Sequence, residues 1–449
     1  MKLTVFQSDK GDCLLLTGAD GRHMLVDGGM RQSYSKHVSP VLGQLREGKE
    51  KLDVVYVSHI DQDHISGILQ MMDDEVAWRI HEYQVNHGNP QHKPPDSVWP
   101  PEVKAIWHNA FHELLPQNAG EIEEVLAASA AVLSGSKIES VEELVSAQNE
   151  LVTSIAEAIK LTRRVGLDQL GIKVNSPAKG KLMMVRPATA PPIKLGAMRC
   201  QIIGPFPEDL KNLRAEWDEW LKKNKAKLRS IKTQAKKDES QFSVREIDDI
   251  LLPKLVQANL LSELLPLNEN TKPFKLGDRN KVTTPNLASL MFFVEEKRKT
   301  LLLTGDGHHL DILRGLKRIK KLNGTKGIHV DVLKVQHHAS EHNLDEAFCR
   351  TITANHYIFC GNGEHENPDL RVVQAIADSR LGTGAQLSPN AEAASPFKFW
   401  FNSHSSVTKK EEAKAHMKEI EKLVGKLSNK SNGQMTFFFL KGPSFDIQI

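Results

Sequence analysis

Val54-Val55-Tyr56-Val57-Ser58-His59-Ile60-Asp61-Gln62-Asp63-His64-Ile65-Ser66-Gly67 decides how the rest of the chain reads. An apolar, β-branched run ends at Ser58, and the next six positions hold two histidines and two aspartates in the order His-x-Asp-x-Asp-His before a helical pattern begins. Such a run favours a strand, so the pattern lays ligand-type side chains on a strand-to-helix turn. Imidazole nitrogen and carboxylate oxygen suit zinc, manganese and iron. The spacing lets His59 and Asp61 point one way while Asp63 and His64 reach another, so one turn can feed two adjacent ions. Asp and His also populate ordinary turns and helix N-caps, and a lone Asp-x-Asp would carry no more than that. Four ligand-type residues in six positions favour the metal.

Three later strands repeat the device. Thr300-Leu301-Leu302-Leu303-Thr304-Gly305-Asp306 delivers a carboxylate at its tip, where it can bridge two ions. Val330 to Val335 runs into Gln336-His337-His338-Ala339-Ser340, and strand alternation puts His337 with Val335 on one face and His338 on the other. His337 is then the better ligand and His338 a substrate contact or proton donor. His356 to Cys360 leads to Gly361-Asn362-Gly363-Glu364-His365, where a glycine-rich turn presents His365.

Toward the N-terminus, residues 3 to 6, 13 to 17 and 23 to 27 read as an antiparallel meander ending in Asp27-Gly28-Gly29. Asp27 there is a turn residue or a partner behind the ligands. Helices are expected over 34–45 and 65–72, and a strand at Tyr83 to His87. From Pro100 to Leu170, and again from Pro207 to Leu265, apolar residues recur at helical spacing, marking two insertions. The chain therefore divides into 1–99 (first half of an α/β core), 100–170 (helical insertion), 171–206 (core strands), 207–265 (basic helical insertion) and 266–449 (second half). His87, His108 and His112 lie in no ligand cluster and read as surface or structural residues.

Net charge over 449 residues is only +3, so no global field announces a polyanionic partner, and electrostatic arguments rest on local clusters. Lys222, Lys223, Lys225, Lys227, Arg229, Lys232, Lys236 and Lys237 form one such block; Arg314, Lys317, Arg318, Lys320, Lys321 and Lys326 form another. Each is either a solvated helix face or a contact for phosphates. Cys13, Cys200, Cys349 and Cys360 fall in no Cys-x-x-Cys arrangement and are expected as reduced core thiols. No leader or apolar membrane-length window is visible, so a cytoplasmic protein without membrane contact is expected.

Taken together these motifs resemble the metallo-β-lactamase superfamily, and in particular the hydrolase domain of bacterial competence DNA-uptake channel (ComEC-type) proteins. The matching pieces are Gly11-Asp12, Leu25 to Gly29, Ser58 to Gly67, Asn286 and Ser289 before Leu303 to Asp306, Leu333 to Ser340, and Gly363-Glu364-His365 with Pro368. The resemblance implies an αβ/βα sandwich interrupted by the two helical insertions, with a dinuclear site of zinc or manganese. It implies that His59 and Asp61 hold one ion, that Asp63, His64 and His365 hold the other, that Asp306 bridges and that His337 lies nearby. This chain departs from the pattern in carrying Asp61 where many members have histidine, and in lacking a middle histidine after Gly204-Pro205; both predict a weaker first site or one preferring manganese. The expected activity is phosphodiester hydrolysis, with Asp63 and His338 in catalytic roles and DNA, RNA or another phosphodiester as substrate. The alternatives are hydrolysis of a small ester, thioester or lactam, or a non-catalytic platform whose insertions dock a protein partner.

Overall fold

In the computed structural model, which describes residues 1–109, 150–215 and 276–449, two sheets face each other. The first contains β1 (Lys2–Phe6), β2 (Leu14–Thr17), β3 (His23–Val26), β4 (Val54–Tyr56), β5 (Ala105–Trp107) and β6 (Lys173–Val174) in that order. The second starts with β7 (Ile193–Leu195) and continues through β8 (Met198–Gly204), β9 (Met291–Glu296), β10 (Lys299–Leu303), β11 (Ile328–Lys334), β12 (Ile352–Phe359) and β13 (Phe397–Phe401) to β14 (Met435–Phe439). β15 (Ser444–Gln448) returns to the first sheet, pairing antiparallel with β1.

Alternation along the strands sorts the core into layers. Leu301 and Leu303 of β10 face Val5, Val26 and Tyr56 between the sheets, whereas Leu302 faces outward. The outer face of the first sheet is covered by helices Ser39–Glu47, Gln62–Asn86 and Glu150–Val165; that of the second by His309–Arg318, Leu370–Leu381 and Glu411–Lys430. The order helix, sheet, sheet, helix is the metallo-β-lactamase α/β fold. β3 through β6 are parallel in the first sheet, and β10 through β14 in the second. Their carboxyl ends gather on one edge, where open parallel sheets place ligands.

That edge is held by two glycines. The Asp27-Gly28-Gly29 turn docks on the first turn of the Gln62–Asn86 helix through Gly28 N–H to His64 O (2.8 Å) and Gly67 N–H to Gly29 O (3.0 Å). A Cβ on Gly67 would stand 2.0 Å from Gly28 O, and one on Gly28 2.3 Å from Ile68 N. No other side chain fits at either position.

The expected strand at 83–87 is the last turns of the Gln62–Asn86 helix, because short alternation is equally available to a helix that leaves the core. The helix expected at 34–45 is a π turn, Tyr34–Val38, followed by Ser39–Glu47. β5 lies inside the stretch read as the first insertion; three residues are too few for periodicity to mark. Glu150–Val165 in the same stretch is helical and tied to the long helix by Lys160 and Arg164, both 2.7 Å from Asp73. Residues 110–149 and most of the second insertion, with the 222–237 block, lie outside the described residues. All four cysteines are buried free thiols, and among the described residues no helix is long and apolar enough to cross a membrane.

Burial pushes the carboxyl of Asp74, on the packed face of the long helix, up to about 6 from 3.8. The folded protein therefore keeps this proton to higher pH than the unfolded chain, so the stability that Asp74 contributes is lost as pH rises from about 4 to about 6. Denaturant titrations across that range should show the decline, and Asp74→Asn should reduce it.

Candidate metal centre

All the expected ligands but His365 converge where the carboxyl ends of β3, β4, β10 and β11 meet. Asp27, at the tip of β3 in a left-handed conformation (φ 54°), accepts hydrogen bonds from Ser58 N–H (2.7 Å) and Ser58 Oγ–H (2.8 Å). This joins the tips of β3 and β4. His64 Nδ1 lies 3.0 Å from the same carboxylate and donates to it, which leaves the lone pair of His64 on Nε2. Ser58 Oγ, its proton committed to Asp27, accepts from His59 Nδ1 (3.0 Å), so that ring also offers Nε2. Asp27 thus orients both histidines without touching the centre, as outer-shell carboxylates do at metal sites.

Both Nε2 atoms turn toward Asp306, which Gly305 (φ 49°) swings inward from the end of β10. His64 Nε2 is 3.4 Å from Asp306 Oδ1, and His59 Nε2 is 3.8 Å from Asp306 Oδ2 and 3.4 Å from Asp61 Oδ2. From the loop after β11, His337 Nε2 comes within 3.7 Å and His338 Nε2 within 3.4 Å of Asp306 Oδ2. His338 Nε2 also meets Asp63 Oδ2 at 3.0 Å. One carboxylate is therefore approached by four imidazoles, with Asp61 and Asp63 on the more open side.

Strand alternation does not govern 337–339. β11 ends at Lys334, and His337, His338 and Ala339 all adopt positive φ (47°, 52° and 66°), so consecutive side chains no longer point to opposite faces and both histidines reach the centre. His338 is the more enclosed, at 7% exposure against 24% for His337. Its Nδ1 faces Cys360 O (3.0 Å) and Asp12 Oδ1 (3.3 Å). His365, expected as a ligand of the second ion, instead sits exposed on the Glu364–Glu366 turn, apart from the ion pairs of the centre. His338 occupies the place expected for it, because the left-handed turn re-aims a ring that strand geometry would point away.

Two buried residues that the sequence reading quoted only within the resemblance, without giving them a role, stand behind the ligands. Asp12 hydrogen-bonds Lys334 Nζ and faces both His338 and His64 Nδ1 (3.9 Å). Lys334 is itself buried, donates to Gly305 O (3.1 Å) and stands 3.7 Å from Asp306 Oδ1. The available signal was a lysine inside the apolar run Val332-Leu333-Lys334-Val335, a residue rarely buried without a partner. The turn carrying Asp12 is pressed onto the ligand turn: a Cβ on Gly11 would lie 1.8 Å from Asp63 O.

The electrostatics match this geometry. Burial would raise the carboxyls of Asp306 and Asp63, but the surrounding imidazoles outweigh it and hold both well below the ordinary range. Burial is likewise overcome at Asp12, chiefly by Lys334. The same carboxylates lift His64 and His338 well above 6.5 against the opposing effect of burial, whereas burial prevails at His337 and lowers it. A divalent cation fits this setting on an independent observation: among the described residues, His59 Nε2, His64 Nε2 and Asp306 Oδ1 are buried with no hydrogen-bond partner, and buried polar atoms are rarely left so. Donors of His59, His64 and Asp306 lie within 4.8 Å of one another, as do donors of Asp12, His64 and His338.

Against known proteins, residues 9–108 match the family model described as metallo-beta-lactamase superfamily. The matched segment carries Asp12, Asp27, Ser58 and the whole His-x-Asp-x-Asp-His turn. No curated protein matches the chain.

Removing Lys334 would strand Asp12 as a buried carboxylate, a defect that costs about 3–5 kcal/mol. Urea denaturation in the presence of chelator should show a loss of that size for Lys334→Met, and a smaller one when Asp12→Asn is combined with it.

Proposed function

We propose that the protein is a metal-dependent hydrolase of phosphodiester bonds. The observation that carries the reading is the convergence of imidazole nitrogens, unpartnered among the described residues, on Asp306 at the carboxyl ends of the parallel strands of both sheets. His59, Asp61 and His337 would hold one divalent ion, Asp63, His64 and His338 a second, and Asp306 would bridge them. Each set offers two imidazoles and one carboxylate beside the shared Asp306, a mixture that suits manganese as well as zinc. Such ions make a hydroxide-like nucleophile available near neutral pH and offset charge on a phosphoryl group.

The chain's own residues supply the rest. Asp63, 19% exposed, stands at the mouth, where it can orient an attacking water and take its proton. His338, with Nδ1 turned to Cys360 O and Asp12, offers only Nε2 inward and serves as a ligand, not as the donor to a leaving group. Lys10 lies within electrostatic reach of Asp63, and Lys409 within reach of the adjacent Asp9, so cations stand beside the centre for an anionic substrate. The resemblance to competence-channel hydrolase domains supports a nucleic-acid strand as that substrate.

One observation favours a smaller one. Lys321 pairs with Glu295 at the end of β9 remote from the centre, Arg314 with Glu208, and Arg318 donates to Arg186 O (3.0 Å). The 314–326 cluster therefore points away from the ligands, and several of its cations are occupied. A short phosphodiester, or a small ester or thioester, needs no such track.

Protein loaded with manganese or zinc should be incubated with single- and double-stranded DNA, RNA, bis(p-nitrophenyl) phosphate, a chromogenic lactam and a thioester. Phosphodiester cleavage that falls roughly 10²–10⁴-fold in Asp63→Ala is expected. Turnover of the lactam or thioester with every phosphodiester left intact would replace this reading.

A further inference from the structure

Two side-chain amides bracket His337. Asn343 is buried, and its Nδ2 donates to Asp306 O (2.8 Å) and Gly307 O (3.4 Å). Carbonyl oxygens only accept, so this amide cannot turn over, and its Oδ1 must receive a proton from whatever faces it. What faces it, at 2.6 Å, is His337 Nδ1. The main chain of Asn343 braces the same spot, its carbonyl accepting from His309 N–H (2.9 Å) and from Gln336 Nε2 (3.2 Å). His337 is thereby held as the Nδ1–H tautomer with its lone pair on Nε2.

That lone pair has two neighbours: Asp306 Oδ2 at 3.7 Å and Asn286 Nδ2 at 3.2 Å. A ring free to choose would place its proton on Nε2, toward the carboxylate, and would then be useless as a ligand. Asn286 is buried, its Nδ2 meets the ring, and its Oδ1 has no hydrogen-bond partner. Among the described residues, the one group its amide meets is this ring.

We propose that Asn343 is a positioning residue that sets the tautomer of His337, so that this ring can offer Nε2 to a divalent cation, and that Asn286 occupies the ring's lone pair until that cation takes it. The assignment rests on the metal-hydrolase reading for its purpose but not for its chemistry, since the tautomer belongs to the metal-free protein.

Long-range ¹H–¹⁵N correlation spectra of ¹⁵N-histidine-labelled, metal-free protein report which ring nitrogen carries the proton, with His337→Gln identifying the signal. Zinc content and chelator competition report the affinity of each ion. The expected results are a protonated Nδ1 in the native chain, a shift toward protonated Nε2 in Asn343→Leu, and a roughly 10–100-fold weaker first zinc in that variant with the second unchanged. Asn343→Asp, which keeps an acceptor oxygen in place, should restore both tautomer and affinity even if the leucine variant folds poorly. Asn286→Ala should bind zinc at least as tightly as the native chain. A native ring protonated on Nε2, or an Asn343→Leu variant with unchanged tautomer and affinity, would overturn the role of Asn343; weaker zinc in Asn286→Ala would overturn that of Asn286. A native chain that binds no zinc overturns the metal-hydrolase reading and the ligand role of His337, while the spectra still decide what Asn343 does.

Discussion

Keeping ionised carboxylates dry is the constraint on which the centre depends. Asp12, Asp27 and Asp306 are all almost fully buried, and an isolated carboxylate taken out of water would simply protonate. Each is answered differently: Asp12 by the ammonium of Lys334, Asp27 by Ser58 and His64, and Asp306 by four rings and the edge of Lys334's field. Because the answers come from both sheets, the two halves of the sandwich are locked by the same charges that shape the site. Lys334 matters most in this respect, since its ammonium answers Asp12 directly and also stands 3.7 Å from Asp306.

The tautomers follow from this arrangement. Asp27 holds His64, Ser58 holds His59, and Asn343 faces His337, each through Nδ1. Three rings drawn from two sheets present the same nitrogen inward. A site that merely contained histidines would show mixed orientations. Repeated use of Nδ1 as the anchored atom is what a cluster organised around a common ligand requires.

The parts legible in the sequence were those whose ligands are neighbours along the chain or sit at the tip of one strand. The 59–64 turn could be read because strand, turn and helix follow each other without help from elsewhere, and Asp306 because an apolar run ends on Gly-Asp. His338 was assigned to the wrong face, since alternation holds only while φ stays extended and the chain turns left-handed at His337. His365 looked equivalent because a glycine-rich turn after a strand says nothing about which way the turn leans. Asp12 sat in what read as a hairpin turn; only the pairing of β1 and β2 beside β3 brings it against the centre. Lys334 could have been suspected from its apolar surroundings, but its partner lies more than three hundred residues away, where no local pattern reaches.

Burial also sorts the residues by task. Asp27, His59 and Asp306 follow strands and are enclosed, so packing fixes their positions; Asp61, Asp63 and His64 belong to the start of the Gln62–Asn86 helix, where His64 is buried and Asp61 and Asp63, at 29% and 19% exposure, face the opening. Enclosed donors can keep their geometry with or without a guest. Groups at the mouth can meet substrate and solvent water, which a proton acceptor must do. The glycine contact between residues 28 and 67 matters here, because it sets how far the start of the helix stands from the β3 tip and hence how deep Asp63 sits. A shift of the helix by a side chain's width would move Asp63 at the mouth and the buried His64 together while leaving His59 and Asp306 where they are, so holding a cation and acting on a water both depend on that one contact.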